Sequence, residues 1–187
     1  MHTVAVFIDG AYIDYVIRDE FQSQKVDYSS LASNIVKSTG TEKEILRIYY
    51  YHCLPYQDSP PTMEQSRKFG QMQSFFRALQ RTSKFEVRQG RVAFRGVDNQ
   101  GQPIYEQKRV DLMLGLDLAI LATKRLITQA FLFAGDSDLI PAVCAAKAEG
   151  VTMYLVHGSA CHDDLLDEAD ERIRITPELI GSALRMI

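Results

Sequence analysis

Short apolar runs alternate with longer amphipathic segments along most of the chain. Runs rich in β-branched and aromatic residues predict strands, and apolar residues that recur every three or four positions predict helices. The predicted strands are Val4–Ile8, Ile45–Leu54, Ala130–Ala134, Val151–Val156 and Ile173–Ile175, with a further strand pair inside Phe85–Val110. The predicted helices are Ala11–Phe21, one that includes Ser30–Lys37, one in which Phe69, Met72, Phe76 and Leu79 share a stripe, Asp111–Lys124 and Leu139–Glu149.

This alternation of strands and helices predicts an α/β fold in three layers. Right-handed crossovers between successive strands build a mostly parallel central sheet with helices on both faces. The length of 187 residues and the 46% hydrophobic content suit one domain over residues 1–187. In such sheets ligands gather beyond the carboxyl ends of the strands. Functional residues are therefore expected at that edge.

Composition and charge narrow the expected location and partners. The net charge of −3 gives no global attraction to a membrane or a nucleic acid, so any basic surface must be local. The three cysteines have neither zinc-site nor disulfide spacing, which suits reduced thiols. The apolar run after Met1 is interrupted by Asp9 and is too short for a signal sequence or a membrane span. We expect a cytoplasmic protein without a membrane partner.

Aspartates follow two of the predicted strands. Asp9 comes directly after Val4–Ile8, and Asp136 and Asp138 follow Ala130–Ala134. Because parallel strands end at the same edge of a sheet, these carboxylates are expected to lie close together although they are far apart in sequence. Crowded carboxylates repel one another unless a cation neutralises them, and oxygen-only ligands favour Mg²⁺ or Mn²⁺ over zinc. The pattern predicts a divalent metal site.

Two further aspartates belong to the predicted helix that begins at Asp111. Six residues of an ideal helix turn through about 600°, so Asp111 and Asp117 point in different directions and at most one is expected as a direct ligand. We favour Asp111 because a helix N-terminus attracts an anion. Asp117 lies between Leu116 and Leu118, where a carboxylate needs a partner. Asp111 and the strand-end aspartates also have a plainer explanation as helix caps or turn residues.

Three short motifs resemble those of one known family. They are Phe7-Ile8-Asp9-Gly10-Ala11, Lys108-Arg109-Val110-Asp111 with Asp117 after it, and Ala134-Gly135-Asp136-Ser137-Asp138-Leu139. In this order, and extended through Val151–Val156 and Leu166–Ile173, the chain resembles the NYN domain, a family of PIN-like metal-dependent nucleases, and most closely its LabA-like branch. The resemblance implies a PIN-like, Rossmann-like fold and a ribonuclease. It also implies that Asp9, Asp111 and Asp136 are the central metal ligands, with Asp138 and Asp117 in support.

Two positions depart from the family pattern beside the implied site. Tyr12 stands where the family usually has Asn, and Arg109 stands where it usually has Gly. The missing Asn removes an amide that could orient a ligand or a phosphate, and Asp14 is a residue that could compensate. The departures therefore bear on the level of activity.

One segment of the chain is strongly basic, although the chain as a whole has a net negative charge. From Arg67 to Arg95 there are eight basic residues against one acidic residue, Glu86, so the segment carries a charge of +7. Such a local excess attracts phosphodiester backbones, although a solvated helix face and a protected strand edge also explain it. The candidate RNA contacts are Arg77, Arg81, Lys84, Lys108 and Arg109.

Aromatic residues and histidines give weaker indications. Tyr49–Tyr51 and Phe94 could stack on bases, but residues of a strand more often alternate into the core. His52, His157 and His162 are available for acid–base chemistry, yet none has metal-ligand spacing to a second histidine or cysteine. We interpret them as satisfied or exposed histidines.

The aspartates and the basic stretch favour Mg²⁺- or Mn²⁺-dependent hydrolysis of phosphodiester bonds. The resemblance alone implies that the enzyme is an endoribonuclease with single-stranded or structured RNA, rather than DNA, as its partner. A second hypothesis is a regulatory RNA-binding protein of the same fold that cleaves slowly or not at all. A haloacid-dehalogenase-like phosphatase is less favoured, because that family has a second Asp two residues after its nucleophile and this chain has Ala11 there. The apolar tail from Leu179 to Ile187 suits either closure of the core or a homodimer contact.

Overall fold

A seven-stranded sheet forms the centre of the protein, as seen in a computed structural model that describes residues 1–40 and 42–185. The strands are β1 (His2–Asp9), β2 (Lys43–Cys53), β3 (Phe85–Val97), β4 (Pro103–Lys108), β5 (Gln129–Phe133), β6 (Thr152–His157) and β7 (Glu171–Arg174). Their order across the sheet is β4-β3-β2-β1-β5-β6-β7. Every neighbouring pair is parallel except β3 and β4. The prediction of a mostly parallel sheet is confirmed.

Helices cover both faces of this sheet. They are α1 (Gly10–Glu20), α2 (Tyr28–Ser38), α3 (Met63–Gln80), α4 (Val110–Thr123), α5 (Ile140–Ala148), α6 (Asp163–Glu168) and α7 (Pro177–Gly181), with a 3₁₀ turn at Ser137–Leu139. Helices α1, α2, α3 and α7 pack on one face, and α4, α5 and α6 pack on the other. In β1, Val4, Val6 and Ile8 face the first layer while Ala5 and Phe7 face the second. The expected three-layer α/β fold is confirmed.

The short elements near the C-terminus were harder to predict. Helices α6 and α7 were not predicted, because each has six residues or fewer and shows no clear helical stripe. Within the predicted apolar tail, Ile180 and Ala183 are buried in the core while Leu184 is 46% exposed, and Met186 and Ile187 lie outside the described residues. None of the described helices combines the length and the apolar character that a bilayer crossing requires.

The strand β3 is longer than its pairing with β2 requires. Its first part, up to Gly90, pairs with β2, and its second part pairs only with β4. A side chain at Gly90 would lie 2.6 Å from the carbonyl oxygen of Lys108 and 2.8 Å from Sγ of Cys53, so glycine allows the two hairpin strands to close together at this point. The β3–β4 hairpin therefore projects past the carboxyl edge of the parallel sheet.

Candidate active site

Two central strands bring the first aspartates to one edge of the sheet. Strand β1 ends at Asp9, and its neighbour β5 ends at Phe133, three residues before Asp136. Ile8 pairs with Phe133, so both chains leave the sheet at the same level. The structure thus places Asp9 and Asp136 at the carboxyl ends of adjacent parallel strands, as the sequence predicts.

The carboxylate of Asp9 is held in place by the helix that follows it. Asp9 caps α1, and the backbone N–H groups of Ala11 and Tyr12 donate to its Oδ1 at 3.0 and 3.2 Å. The residue is only 9% exposed. Burial raises the pKa of Asp9 to about 6, and the negative charge of Asp111 adds to the rise. The hydrogen bonds from the two backbone N–H groups lower the pKa but do not offset the effect of burial. A buried carboxylate with a raised pKa is ready to accept a compensating cation.

Three further aspartates complete an acidic cluster around Asp9. Asp111 lies in the first turn of α4, and Asp136 caps the 3₁₀ turn, where the backbone N–H of Asp138 donates to Asp136 Oδ1 at 3.0 Å. Asp111 keeps contact with solvent, but partial burial of its carboxyl raises its pKa, and the negative charges of Asp136 and Asp138 raise it further. We call Asp9, Asp111, Asp136 and Asp138 the carboxylate cluster.

The carboxylate cluster is suited to a hydrated divalent ion. Among residues 1–40 and 42–185, no three His, Cys, Asp or Glu side chains converge closely enough to form a complete metal cage. A Mg²⁺ ion keeps several of its waters and binds proteins through one or two carboxylates, so it does not require such a cage. The oxygen-only donors and their mutual repulsion fit Mg²⁺ or Mn²⁺ better than zinc.

Asp117 does not join this cluster. Its Oδ2 accepts hydrogen bonds from Tyr51 Oη and Arg88 Nε, both at 3.0 Å. A carboxylate among apolar neighbours requires a partner, and for Asp117 that partner is the guanidinium of Arg88 in β3. Because its carboxylate already has these two partners, we leave Asp117 out of the proposed ligand set, and the supporting role that the family resemblance implied for it stays a prediction.

The basic residues that are predicted to contact RNA lie at opposite ends of the strands, some at the carboxyl ends and some at the amino ends. Lys108 ends β4, Arg109 joins it to α4, and Asp111 follows in the first turn of that helix. Lys84 precedes β3 and its Nζ donates to the carbonyl oxygen of Ile45, early in β2. Because α3 connects the carboxyl end of β2 to the amino end of β3, its last turn also lies toward that amino edge. The structure therefore does not bring Arg77, Arg81 and Lys84 to the carboxylate cluster.

The sequence model of the NYN domain matches residues 3–176 of the chain. The protein belongs to the NYN domain family. NYN domains are PIN-like nucleases, and the match does not separate their branches, so the LabA-like assignment stays a prediction. A search of curated proteins gives no significant match. Among solved structures, MurG of Acinetobacter baumannii is similar with a TM-score of 0.42 and 9% identity over 100% of this chain, which spans 45% of MurG.

In this NYN domain Tyr12 has a structural role. A side chain at Gly135 would lie 2.4 Å from Cε2 of Tyr12, so the phenol ring rests directly on the Gly135 backbone. The backbone N–H of Gly158 donates to Tyr12 Oη at 2.9 Å. Burial raises the pKa of Tyr12 to about 12, so the phenol stays neutral. Tyr12 thus ties the start of α1 to the loops after β5 and β6, at a position where the family usually has Asn.

Arg109 occupies a backbone conformation that favours glycine. Its φ of 76° lies in the left-handed region, which an L side chain adopts at a cost of about 1–2 kcal/mol. This explains why the family usually has Gly here. Arg109 is exposed and precedes Asp111 by two positions, immediately before the first turn of α4.

His52 and Asp14 also lie near the cluster. Gly10 packs against His52, because a side chain at Gly10 would lie 2.7 Å from its Cδ2. The backbone N–H of Cys53 donates to His52 Nδ1 at 2.7 Å, which leaves the proton on Nε2, 3.2 Å from Asp14 Oδ2. Asp14 therefore points toward His52 rather than toward a metal ligand. The sequence feature that indicates the position of His52 near the cluster is its location at the carboxyl end of β2, the strand beside β1.

A cleft of about 510 Å³ opens over the carboxylates. Asp9, Tyr12 and Asp136 line it, together with the loop that contains His162. His157, the last residue of β6, instead has its Nδ1 at 2.8 Å from the carbonyl oxygen of Gly158. The cleft gives a substrate access to Asp9 and Asp136 from solvent.

Proposed function

We propose that this NYN domain is a Mg²⁺- or Mn²⁺-dependent endoribonuclease. The observation that carries the proposal is the carboxylate cluster, in which two adjacent strand ends and the start of α4 bring Asp9, Asp111 and Asp136 together. The charge of Asp111 acts on Asp9, and those of Asp136 and Asp138 act on Asp111, which supports a shared cation site. Membership of a PIN-like nuclease family supports the reaction class.

Asp9, Asp111 and Asp136 would hold the ion, directly or through the waters that it keeps, and Asp138 would orient water or bind a second ion. A divalent ion at this site supplies an activated water and stabilises the negative charge that develops on the phosphate. The N-cap hydrogen bonds of Asp9 keep its carboxylate fixed. Lys108 and Arg109 would attract and position the phosphodiester backbone beside Asp111.

A second candidate is an RNA-binding protein of the same fold with little or no cleavage. The observation that favours it is that Tyr12 fills the position of the family's Asn with a structural contact. Under this hypothesis the fold and the basic residues beside Asp111 are used for binding alone.

Cleavage of labelled RNA separates the two candidates. Single-stranded and hairpin RNA are incubated with Mg²⁺ or Mn²⁺, with EDTA as control, and wild type is compared with Asp9→Asn and Asp136→Asn. Asp167→Asn serves as the matched control, because Asp167 is an exposed aspartate of α6. Metal-dependent cutting that is lost only in the first two variants supports the nuclease. RNA binding without cutting favours the second candidate. If the protein neither cuts nor binds RNA, both candidates are contradicted.

A further inference from the structure

An aromatic cluster lies on the hairpin that projects past the carboxyl edge. Phe94 of β3 and Tyr105 of β4 are direct cross-strand partners with ring centroids 6.0 Å apart. Tyr56, which follows β2, lies 6.1 Å from the first ring and 5.1 Å from the second. Phe94 is 49% exposed and Tyr105 is 45% exposed. We call these three residues the aromatic platform, and its exposure to water marks an interaction surface.

The platform projects beyond the same edge of the sheet that carries the carboxylate cluster. Phe94 is four residues past Gly90, the last residue of β3 that pairs with β2, and a strand rises about 3.3 Å per residue, so it lies about 13 Å beyond that edge. Strand β4 then returns from Tyr105 to Lys108 and leads directly into α4 and Asp111. A single chain of nucleotides that crosses Asp111 is therefore within reach of the platform.

A cleft joins the platform to the neighbourhood of Asp9. It has a volume of about 410 Å³ and is lined by Tyr56, Tyr105, His52, Leu54 and Lys68, among others. His52 is the residue whose ring packs against Gly10, next to Asp9. The cleft thus leads from Tyr56 and Tyr105 along the carboxyl end of β2 to His52.

The charges around the platform complement a phosphate backbone. Arg91, at the base of the hairpin, and Arg109, at its end, have no carboxylate within ion-pairing distance in the described part of the chain. Arg95 and Lys108 share Glu106 as a partner, and Lys68 lies 3.4 Å from Glu64. Exposed rings on a hairpin that also carries arginines without a carboxylate partner are a combination by which proteins hold single-stranded nucleic acids.

We propose that the aromatic platform stacks on unpaired bases of a single-stranded RNA whose backbone passes the carboxylate cluster. The inference rests on the proposed function and names the substrate class of that site. A duplex keeps its bases stacked inside the helix and offers no ring face to Phe94 or Tyr105. The platform therefore selects single-stranded segments over paired ones.

Binding in the absence of cleavage tests the platform. The affinity of a fluorescent single-stranded RNA and of a matched blunt duplex is measured by anisotropy in EDTA and again with Ca²⁺. The double variant Phe94→Ala/Tyr105→Ala is expected to bind the single strand at least about 10-fold more weakly, because stacking contributes about 1–3 kcal/mol per base. Leu126→Ala, at an exposed apolar side chain that precedes β5 at the opposite end of the strands, is expected to match wild type.

A tryptophan reporter gives a second readout, because the chain has no Trp. Phe94→Trp places the sole indole on the platform, and its fluorescence is expected to be quenched when the single strand binds. Leu126→Trp is the control and should show no specific quenching. Circular dichroism and urea midpoints confirm that each variant is folded.

The outcomes separate this inference from the nuclease proposal. Weakened single-strand binding in the double variant supports the platform even if wild type cuts no RNA. Equal binding by wild type and the double variant overturns it even if metal-dependent cutting is present, as does equal affinity for single strand and duplex. Absence of wild-type binding in both EDTA and Ca²⁺ also overturns it. A dimer that the double variant dissociates, with RNA binding unchanged, would assign the platform to a second copy of the chain.

Discussion

The backbone N–H of Gly158 donates a hydrogen bond to the phenol oxygen of Tyr12, 146 positions earlier in the chain. This bond links the helix that starts at Asp9 to the loop after β6, across the backbone of Gly135. The two loops that border the carboxylate cluster are thus held by one side chain that is not the family's usual residue.

Replacement of Tyr12 should separate its structural role from any effect on activity. Tyr12→Phe leaves the buried N–H of Gly158 without its partner and is expected to lower the free energy of unfolding by about 1–2 kcal/mol. Tyr12→Asn restores the usual family residue but removes the ring over Gly135, so a larger loss of about 2–4 kcal/mol is expected. Urea denaturation measures both changes.

The same variants report on catalysis. If the family amide orients a ligand, Tyr12→Asn cleaves RNA faster per folded molecule than wild type, whereas Tyr12→Phe does not. Equal stability of wild type and Tyr12→Phe would contradict the structural role proposed for the hydroxyl.

The buried carboxylate of Asp9 predicts a specific pH dependence of stability. Its pKa in the folded protein is about 6 because of burial, above the value of about 3.9 expected for the unfolded chain. The stability that the bound proton provides is present below about pH 4 and is lost as pH rises through 6. Asp9→Asn keeps an oxygen that can cap α1 and removes the charge. In EDTA this variant should exceed wild type by up to about 3 kcal/mol at pH 7 and gain little at pH 4.

A bound divalent metal should reverse this order of stability between wild type and Asp9→Asn. Mg²⁺ or Mn²⁺ is expected to stabilise wild type more than Asp9→Asn at pH 7, because only the wild type offers the carboxylate. Chemical denaturation at the two pH values, with and without metal, measures the effect, and Asp167→Asn is the control. A stability difference between wild type and Asp9→Asn that is independent of pH would contradict the role assigned to the buried charge.

Much of the fold follows from local patterns. The strand Val4–Ile8 is wholly buried, and its apolar run predicts that; the alternation of strands with helices then determines the parallel sheet. Asp9 and Asp136 meet because their strands are adjacent, and a strand-end position in the sequence is enough to place them at the shared edge.

Other features depend on contacts that no local pattern records. The +7 segment is evident from composition, but its helix carries Arg77 and Arg81 toward the amino edge, and only the path of the chain reveals this. Asp117 was expected to need a partner, yet Arg88 as that partner depends on the pairing of β3 beside β2. The exposure of Phe94 follows from the overhang of the hairpin beyond Gly90.

The ion pair of Asp117 predicts a variant that loses stability but not metal binding. Asp117→Asn removes the charge that faces Arg88 and weakens the acceptor for Tyr51, so the free energy of unfolding should fall by about 1–2 kcal/mol. Metal-dependent cleavage per folded molecule should stay within about 2-fold of wild type if Asp117 is not a ligand. Loss of cleavage comparable to that of Asp136→Asn would return Asp117 to the ligand set.

Arg109 joins a strained backbone to a cation beside Asp111, so Arg109→Gly is expected to improve stability and impair binding. At a φ of 76° glycine avoids the left-handed strain of an L side chain, which should raise the free energy of unfolding by about 1 kcal/mol. Loss of the guanidinium removes a phosphate contact, so RNA affinity should fall and its salt dependence should weaken by roughly one phosphate charge. Arg109→Lys keeps the charge and the strain and serves as the matched control. If Arg109→Gly gains stability and binds RNA as wild type does over a range of salt concentrations, the residue has no part in substrate binding.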